Sequence, residues 1–246
     1  MSLEERDSLL SRTAEMLAGR IDAAFADVDT VRRRVVEIAT QAAERRTALD
    51  RAALTDIRPL LLDLLAHDGT LFESLGVAVS GTSLSDTPRW LEWWRRDGRN
   101  KAQFISHALN PDSVGFYDYQ SREWFRLPVT TRRPHAVGPY VDAGGIEVCT
   151  VTLAIPIALP SGSVSVAGGD LSIAALEALL LDTLGTRAHK VVLLAANGRV
   201  VTSNTARYVT GSRLRADGPQ ATPDQIVPIP SADPHRLPWQ LLAMPD

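Results

Sequence analysis

Apolar residues recur at steps of three, four or seven through Leu3, Leu10, Leu17, Ile21, Ala24, Val28, Val31, Val35 and Ile38, with Arg, Glu and Asp between them. That spacing predicts a long amphipathic helix over residues 3 to about 50. Such a helix either packs along its own domain or serves as a dimerisation element. A second helical stretch runs from Leu54 to His67. Pro59 either kinks it or sits in the first turn of its later part, and Asp68-Gly69 ends it.

Beyond Gly69 the pattern changes. Phe72 to Val79 reads as a strand and Ser80-Gly81-Thr82-Ser83 as a turn. Trp90, Trp93 and Trp94 lie at steps of three and four, which suits a short helix with the indoles on one side, either as core or as the wall of a pocket. From Val148 to Ile155 the period is two, with Cys149, Val151, Leu153 and Ile155 on one face and Thr150 and Thr152 on the other. This predicts a half-buried strand. Pro160-Ser161-Gly162 turns the chain into a second strand from Ser163 to Gly168, with Asp170 at its far end. Ser172 is placed to cap a helix whose Ile173, Leu176, Leu180 and Leu184 form one stripe.

After Gly185, Asn197-Gly198 between the apolar runs Lys190 to Ala196 and Arg199 to Ser203 signals a hairpin. Trp239 to Pro245 reads as a closing strand, and residues 217 to 235, rich in Pro, Asp and Ser, as loop.

The 246 residues, 45% apolar and 22% charged, are ordinary for a soluble globular protein of one large or two small domains. A formal charge of −3 argues against a nucleic-acid or anionic-membrane partner. Cys149 is the only cysteine, so neither an intramolecular disulfide nor a multi-cysteine zinc site is expected. The N-terminus lacks the basic and apolar regions of a signal peptide, and no run of ~18 apolar residues predicts a membrane span. A cytoplasmic location follows as the expectation. The five histidines have no metal-ligand spacing, and a nucleophile elbow, a P-loop and a dinucleotide fingerprint are missing. Neither cofactor nor catalysis is expected.

The chemistry gathers in one stretch. Tyr117-Asp118-Tyr119-Gln120-Ser121-Arg122-Glu123-Trp124-Phe125 is followed by Tyr140-Val141-Asp142 and Asp170-Leu171-Ser172. Arg122 offers a planar fork of donors that matches a carboxylate, and the Trp124 indole adds one donor. Tyr117 and Tyr140 can accept from an ammonium that Asp142 and Asp170 neutralise. The Phe125 ring face can also stabilise a cation. Together these residues suit a small molecule bearing an amine and a carboxylate.

The same residues resemble the pocket motif of the Cache domain (double Cache, PAS-like), the ligand-binding module of bacterial chemoreceptors and sensor kinases, in its amino-acid-binding version. The resemblance implies that Arg122 and Trp124 hold a ligand carboxylate and that Tyr117, Tyr140, Asp142 and Asp170 hold an α-amino group. Phe125 stands where the family usually has Tyr, so one phenol is missing. The fold expected is α+β: a helical region over 1–68, a PAS-like antiparallel sheet forming the ligand module over 69–185, and a reduced second module over 186–246. The function expected is a stand-alone sensor of an amino acid, amine or carboxylate, acting as a homodimer and signalling through another protein such as a transcription regulator or kinase. An enzyme on an amino-acid-like molecule and a helix-mediated scaffold with a vestigial pocket are the alternatives.

Overall fold

The computed structural model describes residues 3–97, 101–143, 145–184, 190–214, 222–231 and 237–245. The N-terminal apolar stripe folds as α1 (Leu3–Glu44), and Leu10, Leu17, Ile21, Val28, Val31 and Val35 are all buried along it. A short α2 (Arg51–Leu54), capped by the Asp50 carboxylate on the Ala53 amide at 2.8 Å, leads through a 3-10 turn into α3 (Arg58–Ala66). Pro59 sits in the first turn of α3, where its missing N–H costs nothing.

Six antiparallel strands follow: β1 (Phe72–Ala78), β2 (Leu91–Arg96), β3 (Ala102–Phe104), β4 (His135–Val141), β5 (Cys149–Ala158) and β6 (Val164–Ser172), in the order β3-β2-β1-β6-β5-β4. One face of this sheet presents Leu75, Val77, Val151, Leu153 and Ile157 to the helices α1 and α3. The other presents Ala78, Trp93, Ala154 and Val166 to α4 (Glu123–Thr131) and the segment before it, which supplies Tyr117 and Tyr119. The sheet is therefore covered on both sides. α5 (Ile173–Leu184) leaves β6 with Ser172 Oγ accepting from the Ala175 amide at 3.3 Å, as the sequence predicts. A second antiparallel sheet, β8-β7-β10-β9, is built from β7 (Lys190–Leu194), β8 (Val200–Ser203), β9 (Gln225–Pro228) and β10 (Gln240–Met244), with the expected hairpin at Asn197-Gly198. The α+β class and PAS-like sheet stand. Among the described residues no helix is long and apolar enough to cross a membrane.

The structure corrects three expectations. The tryptophan segment is strand β2, not helix, because its backbone pairs with β1, with Trp93 opposite Gly76. Alternation then separates the indoles: Trp93 joins the α4 side, while Trp90 and Trp94 donate to the fully buried Glu92 carboxylate, at 3.2 and 2.8 Å, alongside Arg58 at 2.8 Å. Strand β5 is not half buried, since Thr150 and Thr152 are as inaccessible as Val151 and Leu153. Residues 225–228 of the expected loop form edge strand β9, whose alternation leaves Ile226 and Pro228 exposed while Val227 packs against the core; the flanking 217–221 and 232–235 lie outside the described residues.

Candidate functional site

Strand register places three polar side chains in a row on the α4 face. Ser74 of β1 and Thr152 of β5 both stand opposite Asp170 of β6. The Ser74 hydroxyl donates to Asp170 Oδ2 in a short contact, Thr152 Oγ1 donates to Oδ1 at 2.6 Å, and Trp93 Nε1 lies 2.8 Å from Ser74 Oγ and 3.3 Å from Oδ2. Trp93 reaches this point by lying over Gly76 and Gly168. A Cβ at Gly76 would meet the indole at 2.7 Å and a backbone oxygen at 2.3 Å, so a larger residue there would displace the ring.

The second carboxylate closes the site from the turn after β4. Asp142 Oδ1 accepts from the Tyr117 hydroxyl at 2.7 Å, and Oδ2 accepts from the Ile146 amide at 3.1 Å. The same turn swings Ile146 inward, so that Asp142, Ile146, Tyr117, Trp124, Asp170 and His107 share a cavity with Leu91 and Trp93. Its volume is about 10 Å³, at the lower edge of what one water needs. Seating an amino acid therefore requires the turn over 142–148 or the side chains beneath it to give way. A groove of about 350 Å³ at the C-terminal end of α1, lined by Ala39, Ala43, Leu49, Ser83 and Leu159, is roomier but has no charged side chain in its lining. Volume alone would select it; convergent chemistry selects the smaller cavity.

Electrostatics inside the smaller cavity are one-sided. Burial pushes the Asp170 carboxyl up from the ordinary 3.8 to about 6, with nearby Asp142 adding to the rise and the Ser74, Thr152 and Trp93 donors opposing it. Burial, and then the Asp142 charge and hydrogen bond, push the Tyr117 phenol up, so it remains a donor at neutral pH. Burial likewise holds the His107 imidazole below its usual range and keeps it neutral. Two buried polar atoms of the lining residues make no hydrogen bond of good geometry: His107 Nδ1, and Trp124 Nε1, which lies close enough to the Tyr117 hydroxyl to offset part of the rise in that phenol. The interior thus offers buried carboxylates that suit a cation, and one unpaired indole donor that suits an acceptor.

The sequence-predicted residues divide accordingly. Tyr117, Trp124, Asp142 and Asp170 line the cavity. Tyr140 stands one step behind, its hydroxyl 2.5 Å from Thr152 Oγ1, so it touches Asp170 through Thr152. Arg122 lies outside, exposed, donating to the Ala143 carbonyl at 3.2 Å with its guanidinium 5.7 Å from the Tyr117 ring centre. Phe125 does not line the cavity. Consecutive residues of α4 project about 100° apart, so Trp124 faces the cavity while Phe125 packs edge-on against Tyr119 and Trp124, at 5.3 and 6.1 Å. Ser74, His107 and Thr152 were not singled out by the sequence, and Trp93 only as one of three tryptophans that could serve as core or as a pocket wall. Strand alternation read for β2 instead of helical spacing would have separated Trp93, but nothing in the pattern marks His107.

No protein-family model matches the chain, and no curated protein is significantly similar to it. Solved structures are. A methyl-accepting chemotaxis protein X superposes with a TM-score of 0.70 at 18% identity, over 98% of this chain and 96% of that one. The ligand-binding domain of the Pseudomonas aeruginosa amino acid chemoreceptor PctB, in complex with L-Arg, gives 0.65 at 14% identity, over 99% and 94%. The fold is that of Cache-type ligand-binding domains. A further neighbour with this fold, the ligand-binding domain of the Pseudomonas fluorescens chemoreceptor CtaA in complex with L-leucine, gives 0.61 at 18% identity, over 99% and 94%. The Cache fold accounts for the topology of the whole described chain. At these identities the match speaks for architecture, and the chemistry of the cavity rests on the residues above.

Proposed function

We propose that this chain is a sensor domain for a small α-amino acid or a closely related amine with a carboxylate. The observation that carries this reading is the convergence of Asp142, Asp170 and Trp124 on one cavity, with Arg122 exposed outside it beside the Tyr117 ring. A ligand ammonium would lie against Asp170 and Asp142, where burial makes charge compensation worth most. The ligand carboxylate would accept from Trp124 Nε1 and draw Arg122 off the Ala143 carbonyl to form a bidentate pair. Displacement of the turn that carries Asp142 and Ile146, which a cavity of about 10 Å³ requires before an amino acid can enter, supplies the conformational change that a sensor needs. Amino acids in complex with the neighbouring chemoreceptor domains PctB and CtaA support the ligand class.

In this reading the bound state is relayed to a signalling element, a kinase or a transcription regulator, by a sensor that acts as a homodimer. The outward face of α1 carries Gly19, Ala23 and Ala26, small exposed residues that permit close helix approach, which favours homodimerisation along α1. The ligand reading is tested by thermal unfolding against L-amino acids, simple amines and short carboxylates, with wild type, Arg122→Ala and Asp170→Ala compared. Binding to the native state alone raises stability by about 2.7 kcal/mol at a hundredfold excess over Kd. A shift with amino acids, lost in both variants, supports the reading. Amino-acid shifts that survive both substitutions would overturn it.

A further inference from the structure

We infer that His107 selects the ligand's side chain and that the ligand is an amino acid with a small uncharged polar side chain, a hydroxyl or a carboxamide. This rests on the amino-acid reading of the cavity. His107 follows β3 and lines the cavity, its imidazole stacked on the Tyr117 ring at 5.0 Å between centres and 21° between planes. Stacking fixes the plane in which Nδ1 lies. That nitrogen is buried and has no hydrogen-bond partner. Buried polar atoms are nearly always paired, and an unpaired one facing a binding cavity marks a place where a ligand atom completes the pairing.

The other polar groups are already committed by the proposed ligand. Asp142 and Asp170 take its ammonium, and Trp124 Nε1 takes its carboxylate, which leaves His107 for a third polar group on the side chain. Burial lowers the imidazole's proton affinity, outweighing the Asp142 charge and the Ile105 backbone that oppose it, so the ring is neutral and one of its nitrogens is an acceptor while the other is a donor. A hydroxyl and a carboxamide each donate and accept, so either satisfies Nδ1 whichever tautomer is present. A methyl or isopropyl group satisfies neither and leaves the nitrogen orphaned. An acidic side chain would bring a third carboxylate beside Asp142 and Asp170, and a neutral imidazole offers it no compensating charge. Leu91 and Ile146 supply the apolar walls and keep the site small.

The test is calorimetric titration of wild type, His107→Leu and His107→Gln with L-serine, L-threonine and L-asparagine against L-alanine and L-valine. Wild type should bind the polar set about tenfold tighter than the apolar set. His107→Leu should erase or reverse that preference while still binding L-alanine, and His107→Gln, which restores a donor and an acceptor, should recover it. Equal affinity of wild type for L-serine and L-alanine would overturn the inference, as would a serine preference that survives in His107→Leu. Should neither set bind any of the proteins while their unfolding remains cooperative, the amino-acid reading itself falls and takes this inference with it.

Discussion

The Tyr117 hydroxyl donates to Asp142 across 25 residues of sequence at 2.7 Å, so the phenol and the carboxylate that suit a ligand ammonium satisfy each other when the turn over 142–148 is closed. Because burial keeps the phenol protonated, it is available to donate to Asp142 at neutral pH. It ties the segment before α4 to the turn after β4, the two pieces of chain between which a ligand must pass.

Removing that hydroxyl leaves a buried carboxylate oxygen without its donor, at a cost of about 1–3 kcal/mol. For a chain of this size each kcal/mol lowers Tm by about 2–4 °C. Tyr117→Phe should therefore lower the Tm of the unliganded protein by several degrees, as scanning calorimetry would record. An unchanged Tm would mean that Asp142 does not depend on Tyr117 for closure.

Asp170 predicts opposite pH trends for stability and for binding. Its folded-state value of about 6 lies above the ordinary 3.8, so between those limits the folded protein holds the proton more tightly than the unfolded chain. The contribution to stability is complete below about pH 4 and is lost as pH rises toward about 6, amounting to about 3 kcal/mol from this group. An ammonium instead pairs with the ionised carboxylate, so amino-acid affinity should be about tenfold weaker at pH 5 than at pH 7. Titrations at the two values, repeated with Asp170→Asn to flatten the difference, would check this. Affinity independent of pH in wild type would remove Asp170 from ammonium contact.

Gly145 gives a handle on closure itself. A Cβ built there would meet Asp142 Oδ2 at 1.8 Å and the Tyr117 hydroxyl at 2.9 Å. Oδ2 is held by the Ile146 amide and the hydroxyl by Asp142 Oδ1, so neither can simply swing aside. Gly145→Ala should keep the fold, since the core on the α1 side is remote from the turn, yet expose the cavity. Faster amide exchange at Ile146, whose N–H donates to Asp142 at 3.1 Å, is the expected sign. Unaltered protection at Ile146 would show that the turn accommodates a methyl without opening.

How far the sequence disclosed this arrangement depended on how local the signal was. The α1 stripe and the Ser172 cap follow from helical spacing and short-range hydrogen bonding, and both are legible in a single chain. The cavity lining was legible where motif and structure coincide, at Tyr117, Trp124, Asp142 and Asp170. It was hidden where function borrows the look of solvent exposure. Thr152 alternates with Val151 and Leu153 and so reads as the wet side of a strand, but α4 covers that side and Thr152 becomes the donor that orients Asp170. Trp93 fits helical spacing with Trp90 equally well, and only pairing with Gly76 of β1, far off in sequence, decides that it is a strand residue. His107 enters through a tertiary stack on Tyr117, for which no local pattern exists.

Arg122 distinguishes a ligand contact from a structural clasp. It is exposed and bonded to the Ala143 carbonyl at 3.2 Å, so in the unliganded protein its charge is solvated and contributes little to stability. A bound carboxylate would change that, because the guanidinium fork would move onto a partner shielded from water. Arg122→Ala should then leave the unliganded Tm within about 1 °C of wild type, yet weaken an amino acid by about a hundredfold. Arg122→Lys, which keeps the charge and loses the fork, should fall between the two. Neither substitution should alter the affinity of a simple amine without a carboxylate. If Arg122→Ala instead lowers the unliganded Tm by several degrees and weakens amine and amino acid alike, its task is to latch the turn at Ala143, and the ligand carboxylate is held by Trp124 alone.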